Sequence, residues 1–257
     1  MGGGDFRRGD SGEEQIQLLL EFPLDPVWTF DNFIVGEGSR LAFEAVRGVM
    51  AMPATALTLV GEEGTGKSHL LHAAVSHCRE KRGEGAAFYL DLKMVAATFG
   101  EGAAFRGEST LTPFLEYHGE RELVAVDRLD ELEASAPLQE GVLFLFNRLR
   151  SAGHRLLFAG RKHPSDMTSL RKDLSSRLLW GPVMPLAFPD EPELEKIVQK
   201  MAADRQVSLT PELLKFLLNR LPRRVTGFDE ALEKLDRASL RRKRPLTVHL
   251  AKEVLGL

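Results

Sequence analysis

The sequence predicts an α/β protein, a parallel sheet covered by helices and followed by a small all-helical part. Three observations predict it. A glycine-rich loop, Gly61-Glu62-Glu63-Gly64-Thr65-Gly66-Lys67-Ser68, lies between an apolar run and a helical run. Short apolar strands alternate with longer helical periods from Phe33 to about Pro185. After Pro189 the strands stop and only amphipathic helices follow. Alternation of this kind is the pattern of parallel strands buried on both faces by their crossover helices.

In chain order, residues 1–14 are rich in glycine and charge, have little to bury, and read as disordered. The short apolar run Gln15-Ile16-Gln17-Leu18-Leu19-Leu20 comes next, before Pro23 and Pro26. The strands are read as Leu57–Val60, Ala87–Leu90, Leu123–Val126, Arg155–Ala159 and Val183–Leu186, with helices over Ser39–Met50, Ser68–Lys81 and Gln139–Ser151. Four more helices, Glu193–Arg205, Pro211–Arg220, Phe228–Arg242 and Val248–Leu255, are separated by Thr210, Pro222 and Pro245. Thr210, Pro211 and Glu212 supply an N-cap, a first-turn proline and an acidic first turn. The expected organisation is a flexible segment over 1–27, an α/β nucleotide-binding domain over 28–188 and a helical lid over 189–257.

Composition narrows the function. The 257 residues suffice for one large domain and a small one, and a net charge of −3 provides no global basic field for nucleic acid. Cys78 is the only cysteine, which excludes an internal disulfide and suits a reducing compartment. No apolar run approaches the roughly 18–20 residues of a membrane span. Met1–Asp10 has no apolar core of a signal peptide, and Phe6 breaks the acylation pattern that Met1-Gly2 begins. A cytoplasmic protein without a membrane partner is expected.

The chemistry starts at the glycine loop. Gly61, Gly64 and Gly66 allow backbone angles that turn successive N–H groups, Thr65 among them, toward a phosphate. Lys67 brings a point charge to the β and γ phosphates, Ser68 offers a hydroxyl to Mg²⁺, and the helix N-terminus adds partial positive charge. The strand Leu123–Val126 ends in Asp127, the position at which such proteins hold the Mg²⁺. Many relatives of this type carry a second acid directly after it to polarise water. Here that residue is Arg128, which cannot act as a base, and Asp130 is displaced by two positions. The reading is a site that holds ATP or ADP with Mg²⁺ and hydrolyses weakly.

Longer segments carry a family resemblance. Trp28-Thr29-Phe30-Asp31-Asn32-Phe33-Ile34-Val35-Gly36 looks like the opening of the AAA+ domain of the bacterial replication initiator DnaA and its regulator Hda, and Gly66-Lys67-Ser68-His69-Leu70-Leu71-His72-Ala73 is similar to that family's phosphate loop and helix. Ser176-Arg177-Leu178-Leu179-Trp180-Gly181 matches its arginine-finger box, and Leu232-Glu233-Lys234-Leu235-Asp236-Arg237-Ala238-Ser239 is very like the Hda lid. The resemblance runs from about residue 15 to the C-terminus. It implies that Phe33 packs beside the adenine, that His69 belongs to the nucleotide site, and that Arg177 acts in trans on a neighbouring subunit's nucleotide. Gln15, Ile16, Leu18 and Leu20 resemble the clamp-binding peptide at the start of Hda, an extended strand with Gln15 at a polar rim and the other three in an apolar groove.

The chain departs from the family at the nucleotide. The tip of the strand around Leu156-Leu157-Phe158 reads Ala159-Gly160-Arg161, without the family's polar residue and Asp. The lid arginine falls at Thr226, with Arg223 and Arg224 close by. The expected partners are DnaA and the DNA polymerase sliding clamp, with a homo-oligomer also open. As read, the chain has neither the initiator's C-terminal duplex-DNA-binding domain nor its N-terminal oligomerisation domain. Two other functions stay open, an autonomous ATPase that remodels DNA or loads a helicase, and a non-catalytic tether. Arg241-Arg242-Lys243-Arg244 reads first as a solvated helix end, with a weak phosphate contact as the alternative. Phe144, Phe146 and Leu149 read as core.

Overall fold

The computed structural model describes residues 24, 28–99, 111, 115, 117–242 and 244–257. The expected clamp peptide, Gln15–Leu20, lies outside the described residues.

Five strands form one parallel sheet: β1 (Ala56–Val60), β2 (Ala87–Asp91), β3 (Leu123–Asp127), β4 (Arg155–Gly160) and β5 (Val183–Pro185), in the order β2-β3-β4-β1-β5. Every pairing is parallel, with Leu57 opposite Leu157, Ala125 opposite Leu157 and Asp91 opposite Asp127. The strand side chains alternate between two cores, as a pleated strand dictates. Leu57, Leu59, Tyr89, Ala125 and Leu157 face α1 (Arg40–Arg47) and α2 (Lys67–Arg82). Phe88, Leu90, Val124, Val126 and Phe158 face α3 (Leu92–Phe99), α4 (Ala136–Ser151) and α5 (Lys172–Leu178). Phe146 and Leu149 are core, as read from the sequence, while Phe144 is half-buried against it.

The helical part contains α6 (Glu191–Asp204), α7 (Pro211–Arg220), α8 (Val225–Arg242) and α9 (Val248–Leu255), closed around a separate core that includes Val198, Leu213, Leu217, Phe228 and Leu232. Thr210 caps α7 as expected, its hydroxyl accepting from Leu213 N at 3.3 Å. Among the described residues no helix is long and apolar enough to cross a membrane.

Local chemistry accounts for the boundaries that differ. The helix expected over Ser39–Met50 ends at Arg47 because Gly48 terminates it, and a 3-10 turn over Val49–Ala51 continues the chain. Helix α4 starts three residues before Gln139, since Ser135 caps it by accepting from Leu138 N and Pro137 occupies its first turn. Helix α8 likewise begins at Val225, before Phe228.

Candidate nucleotide site

The site forms at the C-terminal edge of the sheet, where parallel strands hand over to helices. Strand β1 ends at Val60 and α2 begins at Lys67, so the whole glycine loop lies between them. Two glycines are demanded by conformation: Gly64 has φ 85° and Gly66 φ 95°. Gly66 is also demanded by space, because a Cβ there would lie 2.8 Å from the Phe33 ring. Gly66 has no side chain with which to cap α2, so the N–H groups of the first turn keep their capacity to donate.

Lys67 is buried and its ammonium donates to the carbonyls of Gly61 at 2.8 Å and Glu62 at 2.7 Å, and to Thr65 Oγ1 at 3.3 Å. Burial lowers its pKa below the ordinary lysine value, against the opposing pull of Asp127 and Asp130. Ser68 and His69 occupy the first turn of α2, half-buried. His69 Nε2 lies 2.8 Å from Thr29 O and its ring packs edge-on to Phe33, with centroids 5.2 Å apart. The segment from Trp28 to Gly36 is thereby fastened to the loop and its helix. Trp28 stacks on His69 and meets His72 edge-on at 4.8 Å.

Asp127 ends β3 almost fully buried, 3% exposed. Its Oδ2 accepts from Tyr89 Oη at 2.8 Å and its Oδ1 from Arg128 N at 2.7 Å. Burial, and then the Asp127 charge, raise the Tyr89 pKa, so the phenol stays protonated and donates. Tyr89 in turn packs on His72, centroids 4.1 Å apart. Tyr89 was missed from the sequence. No local signal marks it: the sheet register that aligns Asp91 with Asp127 brings it there.

The residues flanking Asp127 are engaged elsewhere. Arg128 adopts the left-handed conformation, φ 60°, and turns to Asp91, with Nε 2.8 Å from Oδ2. Asp130 accepts from Arg161 N at 3.0 Å. Asp130, the displaced candidate acid, therefore pairs with Arg161, part of the strand tip that departs from the family pattern.

The helical part reaches the loop through the start of α8. A Cβ on Gly64 would lie 3.6 Å from Val225 N, 3.9 Å from Thr226 Oγ1 and 4.0 Å from Arg224 Cβ. Arg223 instead pairs with Glu191 at 3.0 Å. Of the two arginines near Thr226, Arg224 is the one beside the loop. A second junction is Glu193, which completes a capping box with Asp190 and accepts from Glu37 N at 2.9 Å. Gly36 leaves room for that carboxylate, since a Cβ there would sit 1.9 Å from it.

Arg177 stands apart from this cluster. It lies in α5, half-buried, with Nε donating to Asn147 Oδ1 at 3.1 Å and Nη1 to Asp173 O at 3.0 Å. The chain after it meets the first half of β1: Leu178 O accepts from Thr58 Oγ1, and Gly181 packs on Ala56 without space for a side chain. The glycine loop leaves β1 at the other end. Trp180 is 44% exposed, with the Arg150 guanidinium 4.4 Å over its ring.

A family model of the bacterial DnaA ATPase domain matches residues 24–185, and one of the Hda lid domain matches residues 190–255. Domain III of the Thermotoga maritima replication initiation protein DnaA superposes with a TM-score of 0.77 at 22% identity, over 91% of this chain and 98% of that one. AMPPCP-bound DnaA from Aquifex aeolicus gives 0.68 at 24% identity, over 83% of this chain and 66% of that one. A structure described as a DNA replication initiation factor gives 0.69 at 26% identity, over 86% and 68%. With an AAA+ core matched over more than half its length and an Hda-type lid behind it, the chain belongs to the bacterial DnaA ATPase-domain family.

Proposed function

We propose that this protein is an Hda-like regulator of replication initiation. It binds ATP or ADP between a core over 28–188 and a lid over 189–257, attaches to the sliding clamp through Gln15, Ile16, Leu18 and Leu20, and supplies Arg177 to the ATP held by DnaA. The observation that carries the reading is the separation of two parts of one catalytic set. Neither Arg128 nor Asp130 provides a free acid beside Asp127. Arg177, meanwhile, is oriented by Asn147, and the residues after it meet β1 at Thr58 and then, at Gly181, at Ala56, the end opposite the loop. A guanidinium so placed is suited to a neighbour's γ-phosphate, where it stabilises the charge that develops during hydrolysis. The Aquifex relative was solved with an ATP analogue, in keeping with a nucleotide here.

The residues fit that nucleotide. The N–H groups of Gly64, Thr65 and Gly66 and the first turn of α2 surround the phosphates, and Phe33 stands at Gly66 for the base side. Lys67 would exchange its loop carbonyls for phosphate oxygens. Among the described residues no group of three His, Cys, Asp or Glu side chains could hold a metal ion, and Ser68 and Asp127 would hold a Mg²⁺ brought with the nucleotide, an ion that keeps most of its ligands from phosphate and water. A bound Mg²⁺ would supply charge neutralisation, and Tyr89 holds the Asp127 carboxylate by donating to Oδ2.

The test is hydrolysis of ATP preloaded on DnaA, with clamp-loaded DNA, by this protein and by its Arg177→Ala form. Acceleration that vanishes in the variant is expected. No acceleration by either form would sink the reading and leave a tether or a self-contained remodelling factor.

A further inference from the structure

Charge is distributed unevenly along this chain. The net charge of the whole is −3, yet residues 234–257 contain seven lysines and arginines against Asp236 and Glu253. The structure gathers four of these cations, Lys234, Arg237, Arg241 and Arg242, on one surface. Lys234, Arg237 and Arg241 recur at intervals of three and four along α8, so they share one exposed face, while Phe228, Leu232 and Leu235 occupy the buried one. Together with Arg242, Glu253 and Val254 they line a groove between α8 and α9. Arg242 crosses it to Glu253 at 2.7 Å. That hydrogen bond and charge, with His249 and Arg244 adding to them, hold the Glu253 carboxyl below its usual range. One acid in the groove thus faces an excess of cations. Lys234 and Arg241 enter no ion pair among the described residues, and the Arg237–Glu233 pair is largely exposed, where such pairs contribute little.

We propose that this groove binds the phosphate backbone of duplex DNA without reading its sequence. The seven steps of helix from Lys234 to Arg241 span about 10 Å at about 1.5 Å each, the length of about three phosphates along one strand. Among the described residues the groove lining contains no aromatic ring. A single-strand site uses such rings to stack bases, so the chemistry here is that of backbone contact alone. Base-edge recognition would need side chains that reach into a groove of the duplex, and short cationic contacts on a helix face position a protein without specifying sequence. The inference goes beyond the proposed regulatory role, and its test includes neither DnaA nor clamp.

The experiment is fluorescence anisotropy with a labelled mixed-sequence duplex across a salt series, comparing the full chain with Lys234→Ala/Arg237→Ala/Arg241→Ala. All three side chains are exposed, so the fold is retained and the melting temperature checks it. Binding is expected to weaken at least tenfold, with the slope of log K against log salt smaller by about two to three, at about 0.9 per lost phosphate contact. Arg237→Lys/Arg241→Lys retains most of the binding, because phosphate accepts either cation. Equal duplex affinity and slope in the triple-alanine variant would overturn the proposal. So would single strands bound more tightly than duplex, or a triple-alanine defect confined to anionic phosphatidylserine vesicles, the outcome if exposed Leu240 and its cations serve a membrane surface instead.

Discussion

Asp130 and Arg161 close on each other: the Asp130 carboxylate accepts the Arg161 backbone N–H at 3.0 Å and lies 3.4 Å from its Nε. Asp130 is therefore a structural acid that fixes the end of β4, and not a spare base. Asp130→Asn is expected to leave any intrinsic ATP hydrolysis within about twofold of wild type, because a missing general base costs about 10²–10⁴. Phosphate release in single-turnover assays reads this, and a hundredfold loss would restore Asp130 to the catalytic set.

Tyr89 positions Asp127. Tyr89→Phe removes the donor to Oδ2 and leaves a buried carboxylate oxygen short of a partner, at a cost of about 1–3 kcal/mol. Nucleotide affinity is expected to fall several-fold with Mg²⁺ present and to change little when the ion is chelated. Titration calorimetry under both conditions separates this from general destabilisation, which would weaken both equally.

Lys67 trades stability for binding. Its folded-state pKa is depressed, so the fold tolerates the neutral amine better than the ammonium, and the cost of the buried charge at neutral pH is relieved as pH rises through the folded value toward 10.5. Lys67→Met is expected to match or exceed wild-type thermal stability without nucleotide, as apolar replacement of a buried charge often does. The stabilisation conferred by ATP or ADP should vanish. Melting curves with and without nucleotide decide both halves.

Gly36 is the contact on which the lid helix α6 seats. Gly36→Ala drives a methyl group into the Glu193 carboxylate, so that flexible side chain swings away, the exposed 2.9 Å bond to Glu37 N is lost, and a destabilisation of about 1 kcal/mol is expected. Adding Glu193→Ala should then cost less than it does alone, since the two residues share one interaction. Chemical denaturation of the four proteins in the cycle measures the coupling.

His118 makes the fold sensitive to acid. It is buried, stacked on Phe88 with centroids 3.5 Å apart, and burial, aided by Arg121 and Arg79, pushes its pKa from 6.5 down to about 3. The unfolded chain accepts a proton that the folded one refuses, so stability falls as pH drops from 6.5 toward 3. Between pH 7 and 5 this group's share of the loss is about 2 kcal/mol, at about 1.4 kcal/mol per unit below its unfolded pKa. His118→Phe keeps the stack and should flatten that part of the pH profile in denaturant titrations.

Much of this architecture is legible in the sequence, because its signals are local. The run Leu57–Val60, the glycines after it and the helical period from Ser68 specify strand, loop and helix without reference to anything distant. Thr210-Pro211-Glu212 announces a helix start in the same way. Long-range relationships are what sequence patterns leave out. Nothing near Arg161 indicates that Asp130 will be its partner, and nothing near Tyr89 indicates that the sheet register aligns Asp91 with Asp127 and brings the phenol onto its carboxylate. The lid arginine shows the same limit. Counting residues selects Thr226, whereas the backbone at the start of α8 also sets Arg224 against Gly64.

The two tryptophans, Trp28 and Trp180, stand at two different events. Trp28 touches the rings of His69 and His72 on the helix that follows the phosphate loop, and Trp180 lies three residues beyond Arg177 beneath the Arg150 guanidinium. Each indole is thus a built-in optical probe. With Trp180→Phe, emission is expected to follow the loading of nucleotide; with Trp28→Phe, it is expected to follow the docking of a partner at Arg177 in the proposed role. The order in which this protein fills its own site and engages another can be timed in one cuvette, without attaching a dye.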